Sequence, residues 1–421
     1  MVLSGPGTLR TLVVPDEPSW LMWGVDPVGR GMEATFDPAA TEAVLRPAHL
    51  PQPLAGVVDR WLQGRDLRLI TLPSPLSANS PDAVLPAAAP SHAREEGDMA
   101  EMDDMMAIVG EPSADGLVME PLEVHVGPLG SALPGGLLVE ATLDGEQVTE
   151  GHLTSLLVAS PANADPAAPL TARVALGGGA HRSASSRVAL AAVEAERALS
   201  HLAWLRSLGR LLGWHAGVRL TRQAAMELLP IRSQLLAALV AGHWPTGSGL
   251  ELRGARRATD ELFDRVQHDR LVRRRLSGLA PVSAQQAHDQ GLRGPNARAS
   301  GLDDDARRGS VAYELVDFRA AVTARDGDAL ARTAVRCEEA AQSLRLLARL
   351  ADTRADLPAL GQVEAARGPM ELFDRGGHRA VRTLGTEEAR LAAQDAMTGL
   401  GWSDALVAVC SFDLSAWTQP A

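Results

Sequence analysis

Helical periodicity, sustained over roughly 170 residues, constrains the fold of this 421-residue chain more than any other feature. From Ser183 onward, apolar residues recur at spacings that place them on one face of a helix. The clearest stripe consists of Leu199, Leu202, Leu205, Leu208 and Leu211. A chain with so long a helical region is predicted to fold around a bundle of helices.

Residues that start, bend or end helices divide this region. A helix predicted over about 222–241 contains Pro230, which predicts a kink, and Gly242 can end it. The next helix is predicted over about 255–277, with acidic residues and arginines alternating around its apolar positions.

Ser283 and Gln286 form a capping-box pattern, and Gly291 is predicted to end the short helix that they begin. A long helix is predicted over about 327–351, and a last helix over about 386–398.

β-strands are predicted on both sides of the helical region. Val124 and Val126 alternate with polar neighbours, and LLVEATL is a second strand that leads into a turn at Asp144-Gly145. Another hairpin is predicted to turn at Gly376-Gly377. Near the N-terminus, TEAVLRPAHLPQPLAGVVDRWLQG (residues 41–64) predicts two short helices broken by prolines.

The predicted fold class is therefore α+β, with a mainly helical core flanked by small β elements, in two or three domains. Composition divides the chain into five segments. They are a small mixed N-terminal domain (1–72), an acidic Pro/Ala/Met-rich linker (73–117), a β-rich segment (118–182), the helical core (183–360), and a C-terminal hairpin and helix that complete the domain (361–421).

The net charge of −12 lies entirely in the first third of the chain. Residues 1–130 contain 19 acidic residues and 7 arginines, whereas the remaining 33 acidic residues and 33 arginines cancel. Because no basic patch is apparent, nucleic acid and an anionic membrane surface are not expected as direct partners. The acidic sequence DMAEMDDMM at 98–106 leaves two alternatives, a solvated linker or a segment that docks on a partner.

No apolar run of about eighteen residues is present, so no transmembrane segment is expected, and no signal-peptide pattern begins the sequence. The two cysteines, Cys337 and Cys410, lie far apart, which excludes a disulfide framework and a cysteine-based zinc site. The histidines are scattered without ligand spacing, so no bound metal is expected.

Glu194, Arg197 and His201 fall at i, i+3 and i+7 and therefore share one helix face. Two interpretations remain open. The residues could form a surface ion pair with an incidental histidine, or a buried polar strip facing a partner or cofactor. Burial would require each charge to be paired, and a Glu194–Arg197 pair at i, i+3 would supply one such pair.

The stretch GLRGPNARASGLDDDARR, residues 291–308, combines turn residues with opposed charges. It is either a charged surface loop or a structured loop locked by ion pairs. In the second interpretation, the small residues at Gly294-Pro295 and at 299–301 let the backbone approach another element closely.

This stretch resembles the GLxGPxxRASGxxxDxR signature of one family, the large subunits of [NiFe] hydrogenases and the D subunits of complex I (NADH:quinone oxidoreductase). Four other stretches are similar to family motifs in the same order: VGPLGSALPGGLLVEATLDGEQV, EAERALSHLAWL, RCEEAAQSLRLL and VEAARGPMELF. The resemblance covers roughly residues 118–415, and its strength lies in the joint order of motifs.

The resemblance implies a helical bundle that packs against a small iron–sulfur subunit. In the hydrogenases two CxxC pairs hold nickel and iron, whereas in complex I the emptied cavity forms part of a quinone chamber. It therefore implies a complex I-like or hydrogenase-4-like membrane complex, with quinone and NAD binding among its expected properties and membrane antiporter-like subunits among its partners. The chain would lie in the cytoplasm, peripheral on the inner face of the membrane.

The departures from the family pattern are specific. The C-terminal SFDLSAWT lines up with the hydrogenase SxDPCxxC, so that Ser415 and Thr418 stand where thiolates would be. Without thiolates a Ni-Fe centre cannot be held. Pro134 stands where the family has a quinone-facing histidine, and the segment with the family's partner tyrosine is largely missing between Glu150 and Ser183.

The resemblance assigns candidate roles to individual residues. Glu194, Arg197, His201 and Pro134 are expected to face a quinone cavity or the partner's iron–sulfur cluster, whereas interface or structural roles fall to Asn296, Ser300, Asp303, Asp305 and Arg307. Asp303, Asp305 and Arg307 are expected to form internal ion pairs. No cofactor is expected on this chain itself. Two functions remain open, electron transfer toward a quinone and a structural scaffold without chemistry.

Overall fold

A computed structural model describes the following parts of the chain: residues 2–3, 11–13, 43–47, 68–72, 121–126, 133–134, 137–155, 157–158, 186–245, 250–320, 325–353, 357, 363–375, 378–415 and 417–418. The acidic linker predicted over 73–117 lies outside these residues.

The described strands are β1 (Val2–Leu3), β2 (Thr11–Val13), β3 (Ala43–Pro47), β4 (Arg68–Leu72), β5 (Leu122–Val126), β6 (Leu137–Asp144), β7 (Gln147–Ser155), β8 (Leu157–Val158), β9 (Val363–Ala365), β10 (Gly368–Arg375), β11 (His378–Thr383) and β12 (Trp417–Thr418).

The described helices are α1 (Ser186–Leu211), α2 (His215–Ala241), α3 (Arg253–His268), α4 (Arg270–Leu276), α5 (Ala284–Asp289), α6 (Gly294–Ala299), α7 (Val311–Glu314), α8 (Ala329–Asp352), α9 (Thr386–Asp395) and α10 (Trp402–Ser411).

The first four strands form one sheet in the order β1-β2-β3-β4, with β2, β3 and β4 parallel. The prediction of a helix across Ala43–Pro47 is therefore wrong. The β-branched Val44 suits a strand, and Pro47 is the last residue of β3.

β5, β6 and β7 form an antiparallel sheet. The alternating burial of β6 confirms the strand predicted from LLVEATL, because every second residue faces the core. The hairpin turn lies one residue later than predicted, at Gly145-Glu146, since Asp144 pairs with Gln147. Gly145 adopts a φ of 61°, which glycine allows without strain.

Helix α1 is central, and it packs against both α2 and α8. Nearly all of its residues from Val188 to Gly209 are buried, so the leucine stripe is only part of its buried surface. A helix that is buried all round belongs to the interior of a bundle. Helix α2 continues through Pro230 and ends, as predicted, at Gly242, whose N–H donates to the Ala238 carbonyl oxygen.

The single helix predicted over about 255–277 is two helices, α3 and α4. They are separated by Asp269, which has extended backbone angles. Its Oδ1 accepts the N–H of Leu271 at 2.9 Å, and its Oδ2 accepts the Trp214 indole N–H at 2.9 Å. The aspartate therefore caps a new helix, a tertiary constraint that apolar spacing does not reveal.

The capping box at Ser283 and Gln286 is present at the start of α5, and Gly291 follows the end of that helix with a φ of 71°. The long helix predicted over 327–351 is α8, capped by the Asp328 carboxylate. Both expectations are confirmed.

The C-terminal hairpin is formed by β10 and β11, with Arg375 paired to His378, and β9 adds a third strand. Helix α9 matches the predicted helix over 386–398, but it is not the last one, because α10 follows. Helix α10 buries consecutive residues from Val407 to Ser411, so its sequence shows no clear amphipathic period. The predicted α+β class is confirmed.

Candidate functional site

Helix α1 carries Glu194, Arg197 and His201 into the interior of the bundle. Their exposed fractions are 0%, 2% and 0%, so the surface interpretation of these residues is wrong. Arg197 does not rely on Glu194 as its counter-ion. Its guanidinium reaches Glu339 on α8 at 2.5 Å and donates to the carbonyl oxygens of Glu364 and Ala365 at 3.0 Å.

Glu339 is the common acceptor of this region. Its Oε1 receives both Nε, at 2.8 Å, and NH2 of Arg298 on α6. Its Oε2 receives Arg197 and lies 3.0 Å from Nε2 of His201. Burial alone would raise the pKa of Glu339, but Arg298 and Arg197 hold that pKa well below its usual range. Glu339 is therefore a carboxylate in the folded chain.

A second carboxylate, Glu364 on β9, lies on the other side of Arg298. Its Oε1 is 2.6 Å from NH2 of Arg298, and its Oε2 accepts the N–H of Ala306 at 2.6 Å. Burial, together with repulsion from Asp305, raises the pKa of Glu364 to about 7 despite the nearby arginines. Glu364 is thus a buried group that can take up a proton near neutral pH.

Asp305 and Arg307 form the internal ion pair expected from the sequence. Arg307 donates Nε and NH2 to the two carboxylate oxygens at 3.0 and 2.9 Å, a bidentate geometry. Both side chains are fully buried. Although burial opposes ionisation, Arg307 lowers the pKa of Asp305.

Glu194 is held by hydroxyl groups and not by Arg197. Tyr313 of α7 donates its O–H to Oε1 of Glu194 at 2.6 Å, and Ser343 of α8 donates to Oε2 at 2.5 Å. Arg307 NH1 lies 3.7 Å from the same carboxylate. Burial, followed by the charge of Glu194, raises the pKa of Tyr313 well above its usual value, so the phenol remains protonated.

The C-terminal end of α10 joins the same region through Asn296 and Arg336. Asn296 donates to the Phe412 carbonyl oxygen at 3.0 Å, and Arg336 bonds both that oxygen and the Asn296 side-chain oxygen. Arg336 also lies 3.7 Å from Asp413. Ser300 is buried, and its hydroxyl donates to the Asn296 carbonyl oxygen at 3.4 Å.

These residues form one buried charge cluster. We define it as Glu194, Arg197, His201, Arg298, Asp305, Arg307, Arg336, Glu339, Glu364 and Asp413, all of them buried. The predicted residues Glu194, Arg197, His201, Asp305 and Arg307 are members, and Asn296 and Ser300 adjoin it. Several helices, a strand and loops contribute to it, so it depends on the tertiary fold.

Asp303 does not belong to the buried charge cluster. It pairs with Arg308 at 2.8 Å on the surface, where both side chains are about half exposed. The expectation of an internal ion pair at Asp303 is therefore wrong. Of the three consecutive aspartates, Asp304 bonds Arg293 and the Gly294 N–H, and only Asp305 turns inward.

The close approach predicted for Gly294 is present. Its φ is 61°, and a Cβ atom at this position would lie 2.6 Å from Cα of Gly368, at the start of β10. Backbone therefore contacts backbone here, which holds α6 against the sheet that carries Glu364.

His201 is neutral in this environment. Burial lowers its pKa to about 4, even though the carboxylate of Glu339 opposes that shift. Among the described residues, its Nδ1 has no hydrogen-bond partner. The imidazole is thus an uncharged group beside a permanently ionised carboxylate.

Several members of the buried charge cluster were not singled out from the sequence, among them Arg298, Arg336, Glu339 and Glu364. Each lies within a quoted motif: ARAS, RCEE or VEAARG. The available signal was the presence of charged residues inside otherwise apolar or small-residue segments, which predicts buried pairing.

The comparisons with known proteins include a match to part of this region. A sequence model of the family described as "Respiratory-chain NADH dehydrogenase, 49 Kd subunit" matches residues 251–378. The D subunit of NADH-quinone oxidoreductase from Leptospira biflexa is 36% identical over 105 residues, which are 24% of this chain and 26% of that protein. The D 1 subunit of NADH-quinone oxidoreductase from Streptomyces coelicolor is 40% identical over 92 residues, 21% of this chain and 24% of that protein.

These matches support the resemblance of this part of the chain to the family that unites the complex I D subunits with the hydrogenase large subunits. The match spans about a quarter of the length of the curated relatives. A solved structure of the membrane-bound sulfane sulfur reductase, an archaeal respiratory membrane complex, contains a chain with the same fold. Its TM-score is 0.51 at 19% identity, over 70% of this chain and 97% of that chain.

The residues at the C-terminal motif do not fit the Ni-Fe centre of the hydrogenase branch of this family. Ser415 is buried where a thiolate would be required, and burial raises the pKa of Cys410 to about 12 and that of Cys337 further. Within the described ranges, no group of three or more His, Cys, Asp or Glu side chains could hold a metal ion.

Pro134 stands apart from the other candidates that the family resemblance suggests. It precedes β6, where its carbonyl oxygen accepts the N–H of Leu137 at 3.1 Å. As a proline, it has no proton to donate to a quinone. The contacts of the described residues do not join it to the buried charge cluster.

None of the described helices is both long and apolar enough for a membrane span.

Proposed function

We propose that this chain is a subunit of a complex I-like or hydrogenase-4-like membrane-associated oxidoreductase. In this complex it takes part in electron transfer from an iron–sulfur partner toward a quinone, without a Ni-Fe centre. It binds a small iron–sulfur subunit and, through it, antiporter-like membrane subunits. It lies on the cytoplasmic, inner face of the membrane.

One observation carries this proposal. Residues from four of the family-like motifs converge on the buried charge cluster, where Glu339 joins Arg298, Arg197 and His201. Relatives that match about a quarter of the chain are named as subunits of NADH-quinone oxidoreductase. The motifs that carry the family resemblance therefore meet in the interior of the fold.

Within such a complex, His201 and Arg197 are positioning residues. The imidazole of His201 stays neutral near pH 7, and Arg197 is held by Glu339, so the two side chains present a fixed field to a redox centre nearby. Glu364 differs, because its pKa of about 7 lets it gain or lose a proton when charge arrives close by.

The test is purification of the tagged chain from its native membranes, followed by iron, nickel and quinone analysis. The proposal expects a complex that contains iron and quinone and lacks nickel. Recovery of the chain alone, without iron, would contradict it.

The role of His201 is tested by a redox titration of the partner's iron–sulfur cluster, followed by electron paramagnetic resonance. His201→Gln is expected to shift the midpoint potential, whereas His288→Gln, an exposed histidine on α5, is the matched control. Copurification of iron with each variant shows whether the complex has assembled.

A second function, a structural scaffold without chemistry, is favoured by one observation. His201 has no exposed surface and lies 3.0 Å from Glu339, so among the described residues its side chain is enclosed and does not face an open chamber. If the chain is only a scaffold, the complex assembles with iron, but His201→Gln does not change the midpoint potential of the partner's iron–sulfur cluster. The redox titration therefore separates the two functions.

A further inference from the structure

A pocket of about 450 Å³ adjoins the buried charge cluster at Arg307, between the loop after α6 and the segment after α7. It is lined by Arg307, Arg308, Gly309, Glu314, Phe318, Arg319 and Ala320. Its volume falls within the range that accommodates small organic ligands. Three guanidinium groups, those of Arg307, Arg308 and Arg319, line this one pocket.

The inner wall of the pocket is fixed. Arg307 is fully buried and held by Asp305, and its guanidinium carbon lies 4.2 Å from the ring centroid of Phe318. Its NH1 has no hydrogen-bond partner among the described residues and lies 3.7 Å from Glu194. A rigid guanidinium stacked on an aromatic ring combines positive charge with a flat apolar surface.

The two outer arginines are weakly committed to their counter-ions. Arg308 pairs with Asp303 where both side chains are about half exposed, and such surface pairs contribute little. Arg319 is 85% exposed and lies 3.8 Å from Asp317, which makes a shorter contact of 3.1 Å with Arg349. Both arginines can therefore turn toward an incoming anion at small cost.

We propose that this pocket binds an organic oxyanion, a carboxylate or phosphate group attached to an apolar planar body. The anionic group meets Arg308 and Arg319, and the planar body packs against Phe318 beside Arg307. Glu314, the one acidic residue of the lining, disfavours the anion and limits its affinity. This site is separate from the electron-transfer role proposed above, and it would stand if that role failed.

The test is ligand-observed NMR on the full-length chain with four probes: benzoate, phenyl phosphate, inorganic phosphate and benzyl alcohol. Benzoate and phenyl phosphate are expected to bind more tightly than inorganic phosphate, which lacks the planar body, and than benzyl alcohol, which lacks the charge. Equal binding of all four probes, or no binding of the two aromatic anions at millimolar concentration, would overturn the proposal.

Three variants locate the site. Arg308→Gln and Arg319→Gln are each expected to weaken phenyl phosphate binding by roughly three- to tenfold. Glu314→Gln is expected to strengthen it by roughly two- to fivefold, because a repulsive charge is removed. A folding defect would weaken phenyl phosphate binding, so it cannot explain the stronger binding expected for Glu314→Gln.

The matched control is Arg345→Gln, an arginine 43% exposed that pairs with Glu338 on α8 and does not line the pocket. It is expected to leave all four affinities unchanged. If it weakens binding as much as Arg308→Gln does, the arginines act only through overall charge and the proposal is wrong.

Discussion

Arg298 and Glu339 are bonded to each other in the interior, where Arg298 donates both Nε and NH2 to a single carboxylate oxygen. Neither side chain has any exposed surface. The pair connects α6 to α8, and the two residues are 41 positions apart in the sequence. Two buried charges remain ionised only when their geometry compensates for the lost hydration.

Glu339→Gln tests this compensation. The substitution keeps the size of the side chain but leaves Arg298 and Arg197 without their shared anion. We expect the free energy of unfolding to fall by about 3–5 kcal/mol, the usual cost of breaking a buried ion pair. The measurement is urea unfolding of the full-length chain at pH 7.

Glu338→Gln is the matched control, because the neighbouring carboxylate on the same helix is 24% exposed and pairs with Arg345. It is expected to cost less than about 1 kcal/mol. Equal losses for the two variants would mean that Glu339 contributes only as a surface charge does.

Gly294→Ala tests the backbone contact between α6 and β10. An added Cβ would lie 2.6 Å from Cα of Gly368, closer than any ordinary contact, and both partners are backbone. We expect a loss of more than about 2 kcal/mol, since neither element can move without disturbing Glu364 or Arg298. Urea unfolding measures the loss.

Gly145→Ala separates the steric effect from the dihedral strain. Gly145 has the same φ of 61°, but no atom lies within 4 Å of the added Cβ. Its loss is expected to be about 1 kcal/mol, the cost of the left-handed conformation alone. If the two variants lose equal stability, the close approach at Gly294 does not contribute to the free energy of unfolding.

The helices and hairpins were predictable because local signals define them. The capping box at Ser283, the end of α2 at Gly242 and the alternation in β6 depend on nearby residues only. The break at Asp269 was not predictable, since it depends on Trp214 55 residues away. Helix α10 was missed because five consecutive residues, Val407 to Ser411, are buried, so its sequence shows no clear amphipathic period.

Half of the buried charge cluster was predictable, and the partners of its charges were not. Helical spacing placed Glu194 and Arg197 on one face and suggested that they pair. In the structure, Glu194 bonds Tyr313 and Ser343, while Arg197 bonds Glu339. A pair at i, i+3 is only a weak interaction, so better-placed tertiary partners displace it.

His201 is expected to remain uncharged across the physiological range. Burial lowers its pKa to about 4, so its imidazole signals should not titrate between pH 5 and pH 8. The measurement is NMR of the chain labelled with nitrogen-15 in histidine, with His201→Gln used to assign the signals. A midpoint at or above pH 6 would show that the neighbouring carboxylate of Glu339 outweighs burial.

Glu364 should make stability fall as the pH rises. Its pKa is about 7 in the folded chain, whereas the ordinary value is 4.5. Between pH 4.5 and pH 7 the folded state therefore holds a proton that the unfolded state has released. This contribution is fully present below pH 4.5 and is lost as the pH rises through about 7.

Glu364→Gln isolates this contribution, because glutamine cannot ionise but can still accept the Ala306 N–H. Relative to this variant, the unmodified chain should lose roughly 2–3 kcal/mol between pH 4.5 and pH 8. Urea unfolding at four pH values measures the difference, and Glu371→Gln, a 38% exposed carboxylate on β10, serves as the control that should follow the unmodified chain. Parallel pH profiles for Glu364→Gln and the unmodified chain would show that Glu364 is ionised throughout.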